Sequence, residues 1–280
     1  MNNCSRLVAV LMASVFFSGA TWALPREARV PGGVALITLG DAVADTTTPT
    51  ALLEEQPVMV VEENGQWIAV VGLALDLPAG PQVLTIDHAG IRKTLDFSVS
   101  AKHYPEQHIR LKDSGKVKLS SEDEARAIDE IAEIQRLKRH WRAATDTDSR
   151  LALPADGRLS SRFGLRRYFN GQARAPHSGL DIAVPRGTSI RASAHGRILA
   201  VEDYFFNGKT VFVDHGNGLI SLYCHLDRID VQAGDLVRDG QPLGVSGMTG
   251  RASGPHLHWS VFLNGAAVDP ALFLKSGTGN

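Results

Sequence analysis

In the first half of the chain, apolar residues come in short runs that alternate with polar positions and are broken by turn signals. Val58–Val61 and Trp67–Val71 flank Asn64-Gly65, a dipeptide whose two residues tolerate positive φ and so suit a two-residue hairpin turn. Val83–Ile86 and Thr94–Phe97 flank a second turn at Asp87-His-Ala-Gly90. The stretch from Val34 to Val99 is therefore predicted to form a small β-sandwich-like domain.

The period then changes. Ser121-Glu-Asp-Glu124 has the form of a capping box, and Ile128, Ile131, Ile134, Leu137 and Trp141 recur at spacings of three and four. This predicts one amphipathic helix over roughly 121–144, whose apolar stripe docks on one or both flanking domains. The polar stretch Thr145-Asp-Thr-Asp-Ser-Arg150 reads as a linker. From Leu151 the β pattern resumes, with runs at Thr188–Ala192, Arg197–Val201, Thr210–Val213, Leu219–His225 and His256–Phe262, and a hairpin turn at Asp214-His-Gly-Asn-Gly218. The fold class is thus mainly β: an N-terminal β-sandwich-like domain (24–119), a connecting amphipathic helix and linker (120–150), and a C-terminal antiparallel β domain (151–280).

Residues 1–23 read differently. A basic end at Arg6, an apolar run Leu7–Phe17 and small residues up to Ala23 have the order of a secretory signal peptide. The apolar run is shorter than the roughly 20 residues of a spanning helix, and nothing later is long and apolar enough. The mature chain is expected to start near Leu24, without a membrane span, in the periplasm or secreted. Lys plus Arg is 29 against 30 for Asp plus Glu, so no overall field points to nucleic acid or an anionic membrane. Cys4 leaves with the signal peptide, which excludes an intramolecular disulfide and leaves Cys224, between apolar neighbours, as a structural core thiol.

Six of the ten histidines follow residue 150, and four fall in three short patterns: His177-Ser-Gly-Leu-Asp181, Tyr223-Cys-His225 and His256-Leu-His258. Side chains at even offsets along a strand share a face, so each of the two paired patterns can converge on one side of a sheet. Two imidazoles and one carboxylate suit Zn²⁺ and leave a fourth tetrahedral position for water, the open arrangement of catalytic zinc. His88, His103, His108, His140, His195 and His215 read as ordinary core or surface groups.

In their order and surroundings, Pro176-His-Ser-Gly-Leu-Asp-Ile-Ala-Val-Pro185, Tyr223-Cys-His-Leu226 and Gly254-Pro-His-Leu-His-Trp259 closely resemble the lysostaphin/LytM-type peptidases of family M23. Arg162–Arg166, Gly234–Gly240 and Val268–Pro270 are similar to that family as well, so the likeness covers about 154–274. Residues 24–143 more weakly resemble the N-terminal β domain that precedes some of these peptidases in Gram-negative bacteria. The resemblance implies that His177, Asp181 and His258 ligate one Zn²⁺ and that His225 and His256 are the catalytic histidines. Tyr168 and Asn170 sit upstream of His177, where members carry a tyrosine that helps the transition state and, in latent forms, an asparagine that caps the metal.

The activity so implied is that of an exported zinc endopeptidase cutting peptide cross-links of peptidoglycan, its partners being the stem peptides and a regulatory protein. The alternative on the same fold is a non-catalytic, peptidoglycan-associated regulator of other wall hydrolases, and the intact five-residue set weighs against it. The N-terminal part supplies no ligand, which gives the expectation that it restricts the cleft until a partner or cleavage removes it.

Overall fold

The computed structural model describes residues 24–43, 47–110 and 119–275; the expected signal peptide lies outside them. Six antiparallel strands form the N-terminal domain: β1 (Val34–Asp41), β2 (Thr50–Leu53), β3 (Gln56–Glu63), β4 (Gln66–Gly72), β5 (Gly80–His88) and β6 (Ile91–Val99), in the order β1-β4-β3-β2-β5-β6. Both halves of that path contribute to one core through Ile37, Val71, Leu84, Ile86 and Phe97. The β3–β4 turn places Asn64 and Gly65 at φ 52° and 76°, the two positive angles that a right-twisted two-residue hairpin requires.

The next strand, β7 (Glu106–Ile109), leaves this sheet and pairs in parallel with a strand of the second half. Helix α1 (Ser121–Lys138) follows. Its N-cap is Ser120, whose Oγ accepts from Asp123 N–H, one residue earlier than the expected capping box. The helix also ends before residue 144. The N–H groups of Arg139 and His140 turn back to Arg136 and Leu137 carbonyls, while Arg142 Nε is drawn to the buried Asp214 carboxylate at 2.5 Å. The Arg142–Asp214 pair fixes the chain after the helix in a non-helical path. Trp141 therefore lies outside the helix, and only Ala127, Ile134 and Leu137 pack inward while Ile128 and Ile131 face solvent. The polar stretch after it is docked: Thr147 and Ser149 are buried, and the Asn217 amide bonds Ala144 O and Thr147 Oγ1.

The C-terminal strands are β8 (Arg158–Ser161), β9 (Arg166–Phe169), β10 (Gln172–Ala173), β11 (Leu180–Ala183), β12 (Ser189–Arg191), β13 (Gly196–Tyr204), β14 (Gly208–Gly216), β15 (Leu219–Ile229), β16 (Leu236–Val237), β17 (Pro242–Ser246), β18 (Leu257–Leu263) and β19 (Ala266–Val268). The main antiparallel sheet runs β16-β13-β14-β15-β18-β11-β8, with β9 joining β10 and β7 in a separate three-stranded sheet. On one face Leu137 of α1 covers Ala200, Phe212, Ile220, Leu222, Cys224 and Phe262. On the other, Tyr223, Trp259 and Val261 share a core with Val34, Met59 and Val70 of the N-terminal domain. The two domains are joined further at Gly72, whose N–H and C=O pair with the side-chain amide of the buried Asn264 at 2.6 and 3.1 Å.

Candidate metal centre and active site

The site forms where β11, β18 and β15 lie side by side. Register sets Asp181 opposite His258, and His258 opposite Cys224, so Asp181 and His258 meet across one strand pair. His177 lies before β11, not on it, and reaches Asp181 from the preceding loop; the even-offset argument for that pair does not describe how they meet. Gly179 makes the approach possible, because a Cβ there would stand 2.4 Å from Trp259 O and 2.5 Å from Ser260 Oγ. His256 sits just before β18, bridged to Gly247.

His225 depends on an irregularity. Lys209 pairs with Leu226 and Val211 with Tyr223, so two residues of β15, Cys224 and His225, oppose Thr210 alone. In a regular strand His225 would follow Tyr223 to the opposite face of the sheet. The bulge, with His225 at φ 62°, turns it back beside His256 and His258, at ring-centroid separations of 4.7 and 6.2 Å. A left-handed conformation at a non-glycine residue costs roughly 1–2 kcal/mol. Cys224 and His225 consequently share a face, against the expectation from plain alternation. Cys224 is nonetheless fully buried in the α1-side core, and burial pushes its thiol up to about 12, the state of an inert thiol.

Three donor atoms face one another: His177 Nε2 to Asp181 Oδ1 at 2.9 Å, His258 Nδ1 to Asp181 Oδ1 at 2.8 Å, and His177 Nε2 to His258 Nδ1 at 3.0 Å. They form the one His/Cys/Asp/Glu group among the described residues close enough to hold a metal ion. The other ring nitrogens explain which atoms point inward. His177 Nδ1 donates to Arg162 O, His225 Nδ1 to Thr249 O and His256 Nδ1 to Gly254 O, at 2.8–2.9 Å; a carbonyl can only accept, so each of these N–H groups is turned outward. His258 Nε2 has the buried Ser260 Oγ at 2.9 Å to accept its N–H.

In the neutral rings, then, proton-free nitrogens converge beside a carboxylate oxygen. Such a set of acceptors repels itself unless a cation lies between them. Tetrahedral Zn²⁺ at about 2.0–2.2 Å from each donor needs donor separations of roughly 3.3–3.5 Å, an opening of about half an ångström. The residues fit that ion.

Electrostatics agree with this arrangement. Burial would raise the Asp181 carboxyl, but without a metal ion the same two nitrogens of His177 and His258, when protonated, donate to Asp181, and these hydrogen bonds and charges hold the group well below the usual carboxylate range. Burial pushes His258 down, against the hydrogen bond that its protonated ring gives Asp181, and lowers His225 to about 4, against its bond to Thr249 O.

A crystal structure from Pseudomonas aeruginosa, described as an M23 peptidase, is 44% identical to this chain, superposes with a TM-score of 0.75, and is matched over 89% of this chain and 96% of its own. The chain belongs to peptidase family M23. The M23 family model matches residues 175–270, which hold all five site residues, and the M23 N-terminal domain model matches 27–102. Among curated M23 relatives, the peptidoglycan DD-endopeptidase ShyA of Vibrio cholerae is 40% identical over 113 residues, 40% of this chain and 26% of that protein. The DD-carboxypeptidase/endopeptidase Mpg of Neisseria meningitidis is 42% identical over 113 residues, again 40% and 26% of the two chains. The chain thus spans about a quarter of the length of these curated M23 relatives.

Within the M23 domain the structure brings together His177, Asp181, His225, His256 and His258. It turns Tyr168 elsewhere: the phenol donates to Glu106 Oε1 at 3.3 Å and the ring stacks on His108 at 4.5 Å, both on β7. Asn170 stands in the turn beyond, its N–H donating to Ile109 O. The next-door residue, Arg167, is the one that approaches Asp181, with Nη2 3.9 Å from Oδ2 and 3.0 Å from Ser161 Oγ. Arg167, Ser161, Thr249 and Ser260 escape a motif reading. For Ser260 alone a local signal existed, its i+2 position from His258 on the same strand face.

Proposed function

We propose that this chain is an exported, zinc-dependent endopeptidase that hydrolyses peptide cross-links of bacterial peptidoglycan. The orientation of the ring nitrogens carries this reading: imidazoles whose N–H groups are anchored outward direct proton-free atoms, with Asp181 Oδ1, at one point. His177 Nε2, Asp181 Oδ1 and His258 Nδ1 are the atoms that would hold Zn²⁺, and the ion would supply Lewis-acid polarisation of the scissile carbonyl and acidification of water. His225 and His256, held by Thr249 O and Gly254 O, keep Nε2 free to take a proton from the attacking water and to return one to the leaving amine. Once protonated, either ring donates to the developing oxyanion from the same nitrogen.

The names of the relatives, DD-endopeptidase and DD-carboxypeptidase/endopeptidase, support a scissile bond between D-configured centres. We assign this chain the D-alanyl to meso-diaminopimelate cross-link. Such a substrate lies outside the cytoplasmic membrane, in keeping with the export signal read at residues 1–23.

Incubating the zinc-loaded chain with purified sacculi tests the assignment. Cross-linked dimers should become monomers, the reaction should stop on chelation, and it should resume when zinc is restored. A folded, zinc-loaded protein that binds sacculi and releases no monomer would instead be a wall-associated regulator.

A further inference from the structure

Resting on the endopeptidase reading, we propose that Arg167 is a specificity-determining residue that receives a free substrate carboxylate on the amine side of the scissile bond. Most well-placed guanidinium groups here close on a carboxylate of the chain itself: Arg186 grips Asp227 and Arg228 grips Asp230 with two bonds each, and Arg191 and Arg142 reach Asp156 and Asp214 at 2.7 and 2.5 Å. Arg167 does not. It stops 3.9 Å from Asp181 Oδ2 and spends one N–H on Ser161 Oγ, leaving a fork of unspent donors at the rim of the metal group. Its side chain is 35% exposed, held by Ser161 on one side and open to solvent beside Asp181.

The surrounding charge points the same way. Between Arg158 and Arg174 the chain carries five arginines, and no acidic residue occurs before Asp181, although the whole chain has net charge −1. Arg158, Arg162 and Arg166 are exposed and form no ion pair among the described residues. The β8–β9 segment around Arg167 therefore carries three exposed arginines whose charge no carboxylate among the described residues neutralises.

The substrate has a matching group. In a D-alanyl to meso-diaminopimelate cross-link, the carbon bonded to the scissile nitrogen also bears a free carboxylate, two bonds from that nitrogen. A peptide seated with its carbonyl at the donor cluster brings that carboxylate within a few ångströms of the cluster, where the planar Arg167 fork can take both oxygens. Hydrolysis of an amidated diaminopimelate would forgo this contact.

The test compares two synthetic cross-linked stem-peptide dimers, identical except that one has this carboxylate free and the other has it amidated. The zinc-loaded wild-type chain should favour the free form by about 30-fold in kcat/KM, the worth of a charge-assisted pair. Arg167→Gln should bring that ratio to within about threefold, chiefly through KM on the free dimer, with zinc content unchanged; Arg167→Lys should restore part of it. Equal wild-type rates on both dimers overturn the inference and leave the endopeptidase reading standing, as does a Gln variant that loses both substrates equally or loses its zinc. No cleavage of either dimer by the zinc-loaded wild type overturns the endopeptidase reading, and this inference with it.

Discussion

At the scale of single residues, the four site histidines differ in what their loss would uncover. His258 supplies Nδ1 to the donor cluster, whereas His225 and His256 stand beside it with Nε2 unspent. His258→Ala is expected to remove most bound zinc together with activity. His256→Ala and His225→Ala should keep near-stoichiometric zinc and lose at least about 10²-fold in kcat, the usual worth of a general acid–base group. Metal analysis of the folded variants decides the roles: zinc lost from His256→Ala and kept by His258→Ala would reverse them.

His215 makes a separate prediction about stability. It is fully buried, donating Nδ1–H to His195 O and accepting from Ser221 Oγ, and burial lowers its pKa to about 4 from an ordinary 6.5. The folded state thus binds this proton less readily than the unfolded state. The contribution of His215 is fully present above pH ~6.5 and declines as the pH falls towards about 4, by a total of roughly 3 kcal/mol. Urea midpoints of the zinc-free chain between pH 7 and 4.5 should fall less steeply for His215→Gln than for the wild type; identical slopes would refute the assignment.

At the scale of elements, the site is an outcome of how closely three strands are allowed to approach. Gly179 lets the loop before β11 lie on the β18 backbone, and any Cβ there meets Trp259 O. Gly179→Ala should spread β11 from β18, separating His177 and Asp181 from His258, and lower zinc affinity by about tenfold or more, the scale of losses when ligand geometry is disturbed. Chelator competition measures it, and unchanged affinity would show that the loop can yield.

Local features are legible in the sequence. Asn64-Gly65 marks its turn, and His256-Leu-His258 marks a pair at the start of β18, with His258 on the strand and His256 just before it. Features that distant backbone decides are not. The apolar period carries the expected helix to 144 because Trp141 fits it, and the contact of Arg142 with Asp214 is not visible in that period. Nor does any pattern reveal that Glu106–Ile109 pairs with β9 some 60 residues on, or that a bulge opposite Thr210 reverses His225. The expected converging histidines did converge, but the bend that makes one of them do so is a property of strand pairing.

At the scale of the whole molecule, the N-terminal half is structural support for the site as much as an attachment to it. β7 forms one edge of the sheet containing β9, and Val34, Met59 and Val70 lie in the same core as Trp259. A chain beginning near Arg150 would lose β7, α1 and that share of the core. It is expected to melt at a lower temperature and to digest peptidoglycan no faster than the mature form, contrary to a simple removable plug. Faster digestion by a folded, zinc-loaded truncation would restore the plug. The Gly72–Asn264 joint carries this further: a backbone amide gripped on both sides by a buried side chain is a weld and not a hinge. Swinging the halves apart would strip two buried polar groups of their partners at once, so this joint holds the two halves of the molecule in one fixed relation.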